Sequence, residues 1–262
     1  MNKYEKELKE IKKVVESHGY QVAAVFLQGS QNYNLDQNDE NYQSDIDAKC
    51  FVIPSFDDLY SATRISKTYE TPYGLVEVKD VRSFGELLNK ANPTYLELLA
   101  TDYKLLNSSF PLNFSNYLDQ IVEERKQTLI YAIGGTAMQK YKGVFKATEM
   151  HQPEFEKYGY VAKELHHLVR LRKLIEDLFD KKIPFKQAIV ADAVTRTSLL
   201  SLKVLHFDLN YVKTLADKSI KEINEILERH KTHEKFPASE AIEDIERRIK
   251  MSVLSGLMKV MG

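Results

Sequence analysis

Two short apolar runs constrain this chain more than any other feature. YQVAAVFLQ at residues 20–28 and DIDAKCFVI at 45–53 are rich in apolar and β-branched residues. Each is short enough for a buried strand and far short of the about 18 apolar residues that cross a membrane. Between them lies GSQNYNLDQNDENYQ, a polar loop crowded with turn formers. Pro54 stops the second run. A chain with such strands needs helices to cover them, and the rest of the sequence supplies them. Tyr4, Leu8, Ile11 and Val15 recur at helical spacing ahead of the first strand, and His18-Gly19 ends that helix. Residues 64–70 and 73–81 are expected to pair as a hairpin across Thr71-Pro72 or Tyr73-Gly74.

From Ser83 the pattern turns helical. SFGELLNKA and PTYLELLATDY read as short helices divided by Asn92-Pro93, proline suiting a first helical turn. Residues 107–114 read as loop, and helices are predicted over 115–142, 154–181, 187–203, 209–230 and 238–259. The order is an α/β first half and an all-helical second half, with a boundary at 107–114.

Composition narrows the class. Hydrophobic residues make up 43% and charged residues 29% of 262, which excludes a disordered tail or a fibre. Cys50 is the only cysteine, so there is no internal disulfide and no Cys-rich zinc site. The N-terminal MNKYEKELKEIKKVVE is charged and helical, unlike a signal peptide, and a soluble cytoplasmic protein with no membrane partner is expected. The net charge of −1 does not announce a nucleic-acid binder. It is unevenly spread, however. Residues 1–124 hold 12 Lys/Arg and 20 Asp/Glu, whereas 125–173 hold 10 and 4, so the two stretches suit different tasks.

The chemistry concentrates in three places. Gly29-Ser30 sits where the first strand ends. Glycine lets backbone approach a phosphate, and amides with a serine hydroxyl can hold its oxygens. Fourteen residues later comes Ser44-Asp45-Ile46-Asp47. Period-2 geometry puts both carboxylates on one strand face and Ile46 and Ala48 on the other. Two close carboxylates repel, and a divalent cation between them relieves that. Third, LVEVKD places Glu77 between Val76 and Val78. Alternation favours Glu77 over Asp80 as a third acid, since Asp80 points to the opposite face. Singly, each of these has an ordinary structural explanation: a turn, a solvated strand face, a surface acid. Their order along the chain is more specific.

This order resembles the DNA polymerase beta nucleotidyltransferase superfamily. It is similar above all to the branch of predicted nucleotidyltransferases named after an RNA-repair pathway. The segments that carry the likeness are Gly29-Ser30-Gln31-Asn32-Tyr33-Asn34-Leu35, Ser44 to Asp47, Asn92-Pro93-Thr94-Tyr95-Leu96-Glu97-Leu98-Leu99, and a helical Lys163, His167, Arg170 element. They lie within residues 20–180. Departures are Gln31 and Asn34, where the branch has arginine and glycine, Lys49, where it has an arginine or similar group, and a long loop before Ser44.

The resemblance implies an α+β fold: a nucleotidyltransferase mixed sheet with flanking helices in residues 1–106, then an all-helical domain in 115–262. It implies a metal-dependent enzyme that moves an NMP from an NTP, ATP among them, to an acceptor and releases pyrophosphate. The acceptor is open among an RNA end, a protein and a small molecule. Asp45, Asp47 and Glu77 would be catalytic and bind two Mg²⁺ or Mn²⁺ ions. Gly29 and Ser30 would hold the β/γ-phosphates. Lys163, His167 and Arg170, with His166 weaker, fall within about a 100° sector of one helix and would bind triphosphate or acceptor phosphate. They have a second reading, as buried partners for acids such as Glu97 or as a solvated face. Tyr33 is either a stacking ring or a loop anchor. Asn92 and Glu97 read as a helix cap and a buried hydrogen-bonding acid. Lys140, Lys142 and Lys146 are either a basic rim for RNA or a solvated face. The alternative to an enzyme is a catalytically silent module on the same fold that binds nucleotide or a partner, which the departures at Gln31 and Asn34 motivate.

Overall fold

The computed structural model describes residues 3–38, 43–110, 112–232 and 238–261. The chain is α+β: a five-stranded mixed sheet with flanking helices, and a helical C-terminal region. It divides into two compact units, Met1–Arg125 with Phe236–Gly262, and Lys126–Lys235.

In the first unit, α1 (Lys3–Ser17) leads into β1 (Gln21–Gln28), and β2 (Asp47–Ile53) follows the polar loop. After the short α2 (Phe56–Tyr60) come β3 (Ser66–Thr71) and β4 (Gly74–Asp80), a hairpin turning at Pro72-Tyr73. Then follow α3 (Phe84–Asn89), α4 (Pro93–Ala100), β5 (Lys104–Leu106) and α5 (Leu118–Glu124). The sheet order is β3-β4-β2-β1-β5. β2 runs parallel to β4 and antiparallel to β1, and β5 lies antiparallel on β1 at the edge.

Strand alternation sorts two cores. On one face, Leu8, Ile11 and Val15 of α1 pack on Val25, Leu27, Ala48, Cys50, Val52, Val76 and Val78. Each fully buried side chain of this kind contributes about 1.5–3 kcal/mol over its exposed state. On the other face Phe51 meets Phe84 edge-on at 4.8 Å and Phe26 at 6.1 Å between ring centroids. Asp47 and Lys49 share the Phe51 face of β2, because residues two apart on a strand point the same way.

The long helix α12 (Glu240–Met261) belongs to this first unit. Its apolar stripe, Ala241, Ile242, Ile245, Ile249 and Val253, is buried, and Tyr117 donates to Asp244 while Ser239 bonds Glu124. The grouping therefore differs from an all-helical domain over 115–262. Helical periodicity says which face of a helix is apolar but not which body covers it.

The second unit is built on α6 (Lys126–Val144), α7 (Gln152–Tyr158), α8 (Ala162–Ile175), α9 (Phe185–Ala188), α10 (Ala193–Val204) and α11 (Leu209–His230). α8 packs against α6, α10 and α11 and runs into a π-helical turn over Glu176–Asp180. The single helices expected over 115–142 and 154–181 are each broken, at Arg125 and at Tyr158-Gly159. Among the described residues no helix is long and apolar enough to cross a membrane.

Candidate functional site

β1 ends at Gln28, and the chain turns sharply at Gly29, with φ 96° and ψ −149°. That backbone region is open to glycine almost alone. A 3₁₀ turn over Ser30–Tyr33 follows and closes on Asn34 at φ 57° and ψ 38°. Asparagine tolerates this left-handed conformation.

Glu97, 1% exposed, holds the turn from below. One carboxylate oxygen accepts from the Gly29 amide at 3.1 Å and from Asn32 Nδ2 at 2.6 Å, and the other from the Tyr33 hydroxyl. Thr101 donates to Asn32 Oδ1 at 2.8 Å. Asn92 caps α4, which carries Glu97, by accepting from the Thr94 amide. Tyr33 is buried and bound to Glu97, so it is the loop anchor of its two readings. The Gly29 N–H is likewise committed to Glu97, which leaves glycine's role as the turn itself rather than as a phosphate donor. Ser30 is half-buried, and its hydroxyl has no protein partner among the described residues.

Gln31 ties this turn to the second element of the site by donating to the Asp45 carbonyl at 2.8 Å. β2 begins at Asp47, two residues later than the run at 45–53 predicts, yet the alternation extends back through Asp45. Ser44 and Ile46 are buried; Asp45 and Asp47 are exposed. Ile46 N donates to the Tyr73 carbonyl at 2.8 Å, and Asp47 Oδ1 accepts from Leu75 N at 3.2 Å. Among the described residues, neither aspartate pairs with a lysine or arginine.

Gly74 makes this seam possible. A Cβ there would lie 2.7 Å from the Ile46 carbonyl oxygen. Gly74→Ala should therefore cost about 2 kcal/mol, because the obstacle is backbone and not a flexible side chain. Urea unfolding checks it, and a loss below about 0.5 kcal/mol would mean that the seam relaxes freely.

Glu77 lies beside Lys49 in the parallel register of β2 and β4, on the face that carries Asp47. Its two carboxylate oxygens are both engaged: Oε2 by Lys49, and Oε1 by Lys79 at 2.8 Å. Burial alone would raise the Glu77 carboxyl, but the hydrogen bonds and charges of the two lysines outweigh it and hold the pKa below its ordinary value. Lys49 is buried, and its ammonium stands 4.7 Å from the centre of the Tyr95 ring. Asp80 is the other candidate acid. It points to the opposite face, is fully buried, and is paired with Arg82 at 2.6 Å, so it is a structural acid.

This donor set fits a divalent cation in part. The Asp45–Asp47 pair offers exposed, uncompensated carboxylate oxygens, the hard ligands that Mg²⁺ prefers. Glu77 does not offer a third, and among the described residues no group of three or more His, Cys, Asp or Glu side chains is arranged to hold a metal. Sequence reasoning passed over Lys79 and, although it noted Lys49, missed that both lysines pair with Glu77. The signal was there: both lie two residues along a strand from an acid, on that acid's face.

Lys163, His166, His167 and Arg170 lie on α8, in the second unit. Lys163 is exposed, and His167 and Arg170 are half-buried. His166 is buried, and its Nδ1–H donates to the Leu199 carbonyl at 2.7 Å. Burial first, then the nearby cations Arg170, Lys203 and Lys163, push His166 down to about 4. His167 is pushed further down, by burial and then by Arg170, His166, Lys140 and Lys163. At neutral pH both imidazoles are thus uncharged, and the positive charge of this element comes from Lys163 and Arg170. Of the basic rim, Lys140 bonds Glu164 at 3.1 Å, whereas Lys142 and Lys146 are exposed.

A pH dependence follows. In the unfolded chain each histidine titrates near 6.5. Between that value and the lower folded pKa the unfolded state binds more protons, so stability is complete above about pH 6.5 and falls as the pH drops toward 4. The melting temperature should decline over that window. A His166→Gln, His167→Gln double variant should flatten the decline; an unchanged slope would assign it to other groups.

A comparison of the sequence with protein-family models finds no match, and a comparison with curated proteins finds none either.

Proposed function

We propose that this chain has the nucleotidyltransferase fold and transfers a nucleotidyl group from an NTP to an acceptor. The observation that carries the reading is the exposed, uncompensated Asp45–Asp47 pair tied to a glycine turn that ends β1 and presents Ser30. Asp45 and Asp47 would hold the divalent cation. When bound, Mg²⁺ or Mn²⁺ neutralises phosphate charge and the charge that develops on the departing pyrophosphate. Ser30 binds a phosphate oxygen, and the Gly29 turn, fixed by Glu97, sets where that hydroxyl stands. Lys163 and Arg170, with neutral His167, give the second unit an anion-binding group of its own. In the transfer, an acceptor hydroxyl oxygen bonds the α-phosphorus. The bond from that phosphorus to the bridging oxygen breaks, pyrophosphate carries away the electron pair, and the hydroxyl proton passes to solvent.

A second reading, a silent nucleotide-binding or partner-binding module, is favoured by two observations. The Gly29 amide is spent on Glu97, and Glu77 is spent on two lysines. The test offers each α-labelled NTP in Mg²⁺ or Mn²⁺ with cell RNA, then with total protein, then with small metabolites. Label that reaches one acceptor class, and is lost in an Asp45→Asn, Asp47→Asn double variant, supports the enzyme. Metal-dependent nucleotide binding without transfer to any class supports the module.

A further inference from the structure

We propose that the Asp45–Asp47 face takes a single divalent cation, and that the Lys49 ammonium, fixed by Glu77, stands where a second cation's charge would be needed. The inference rests on the reading of this face as a metal-dependent phosphate site.

The geometry argues from both ends of the ion pair. Both Glu77 oxygens already face an ammonium, Oε2 that of Lys49 and Oε1 that of Lys79, so its single negative charge is more than offset. A metal on a remaining lone pair would sit beside two ammonium charges, and relieving that repulsion means displacing a lysine. The Lys49 side chain is 8% exposed, and Glu77 is its one carboxylate partner among the described residues, with the Tyr95 ring beside the ammonium. Displacement would leave that ammonium buried without a carboxylate, and an unpaired buried charge is costly. Lys79 is also mostly buried, at 16%. The contrast with the aspartates is direct: Asp45 and Asp47 are exposed and have no cationic partner among the described residues.

Charge leads to the same conclusion. Glu77 and the two lysines together carry one positive charge, on the face that Asp47 shares through Lys49. A polyphosphate at this face would meet one metal ion and a fixed ammonium. Lysine is a compact point charge and can take that place without directional ligands. Glu77 is then a positioning residue for Lys49 and not a metal ligand.

Mn²⁺ titration followed by electron paramagnetic resonance tests this without relying on turnover. The full chain is titrated alone and with a saturating α,β-methylene analogue of each NTP. One Mn²⁺ per chain is expected, with none bound tightly by the Asp45→Asn, Asp47→Asn variant. Glu77→Gln should leave the Mn²⁺ dissociation constant within about threefold, whereas losing a true carboxylate ligand costs more than about tenfold. Lys49→Gln with Lys79→Gln frees Glu77 and should raise the count to two. If that double variant does not fold, by circular dichroism, the wild type and Glu77→Gln still decide. Two Mn²⁺ ions per wild-type chain, or a loss above tenfold in Glu77→Gln, would overturn the inference and leave the metal-dependent reading standing. No Mn²⁺ bound by the wild type under any condition would remove that reading, and the inference with it.

Discussion

Replacing Asp45 and Asp47 together by asparagine should lower nucleotidyl transfer by at least about 10³-fold and leave the fold intact. The loss is equivalent to about 4 kcal/mol of transition-state stabilisation, the scale on which fixed charges act in such sites. Asparagine has nearly the shape of aspartate, and its Oδ1 can keep the bond that Asp47 takes from Leu75 N. Both side chains are exposed, so no buried group is left unpaired. Removing two like charges from neighbouring positions should also slightly relieve repulsion, and stability should stay within about 1 kcal/mol of the wild type. On the proposed function, what changes is the capacity to hold a cation. The measurement pairs rate with melting temperature. A double variant that melts like the wild type and transfers at a comparable rate would mean that these carboxylates take no part in the chemistry. A variant that loses activity only because it has unfolded would show a lowered melting temperature, and single Asp45→Asn and Asp47→Asn variants would then separate fold from function.

Much of this face could be read before any coordinates. Ile46 and Ala48 are apolar and Asp45 and Asp47 are not, so alternation alone put the two acids on one face and the apolar pair on the other, and the burial pattern alternates the same way. The same rule separated Glu77 from Asp80. The helix-cap reading of Asn92 also follows from residue type and position. The unread parts depend on contacts far apart in sequence. Nothing local says that the Gly29 amide and Glu97, 68 residues away, share a hydrogen bond. Nor does anything local announce β5: KLL is three residues long, sits at a sheet edge, and is a strand only because β1 offers it partners. The helix that begins at Glu240 has a clear apolar stripe, yet periodicity could not place it with the sheet unit. The Lys49–Glu77 pair lies between these cases. Each residue's face was legible, but their adjacency needed the parallel register of β2 and β4.

Glu97→Ala should be the most destabilising single change considered in the first unit, at about 4 kcal/mol. The carboxylate is 1% exposed and takes donors from three residues of the turn: the Gly29 amide, Asn32 Nδ2 and the Tyr33 hydroxyl. Alanine removes the acceptor and leaves the donors behind. Tyr33 is buried, so its hydroxyl cannot simply turn to water, and the Asn32 side chain keeps its bonds to the Leu27 carbonyl and Thr101 but loses its charged acceptor. A buried group left unpaired costs about 1–3 kcal/mol. The truncation also opens a cavity under α4, which adds to the loss. In a unit of this size 1 kcal/mol moves the melting temperature by about 2–4 °C, so a fall of about 10 °C is expected. Glu97→Gln divides charge from shape. It keeps the volume and one acceptor oxygen, but its NH₂ faces a donor wherever the second oxygen stood, so it should lose roughly half as much. A melting temperature for Glu97→Ala within about 3 °C of the wild type would show that the turn holds itself without this acid. The functional consequence is separable from the stability loss. At a temperature where both proteins are folded, the variant should still bind Mn²⁺ through Asp45 and Asp47. Its affinity for the triphosphate should fall, because Ser30 stands on the turn that Glu97 fixes.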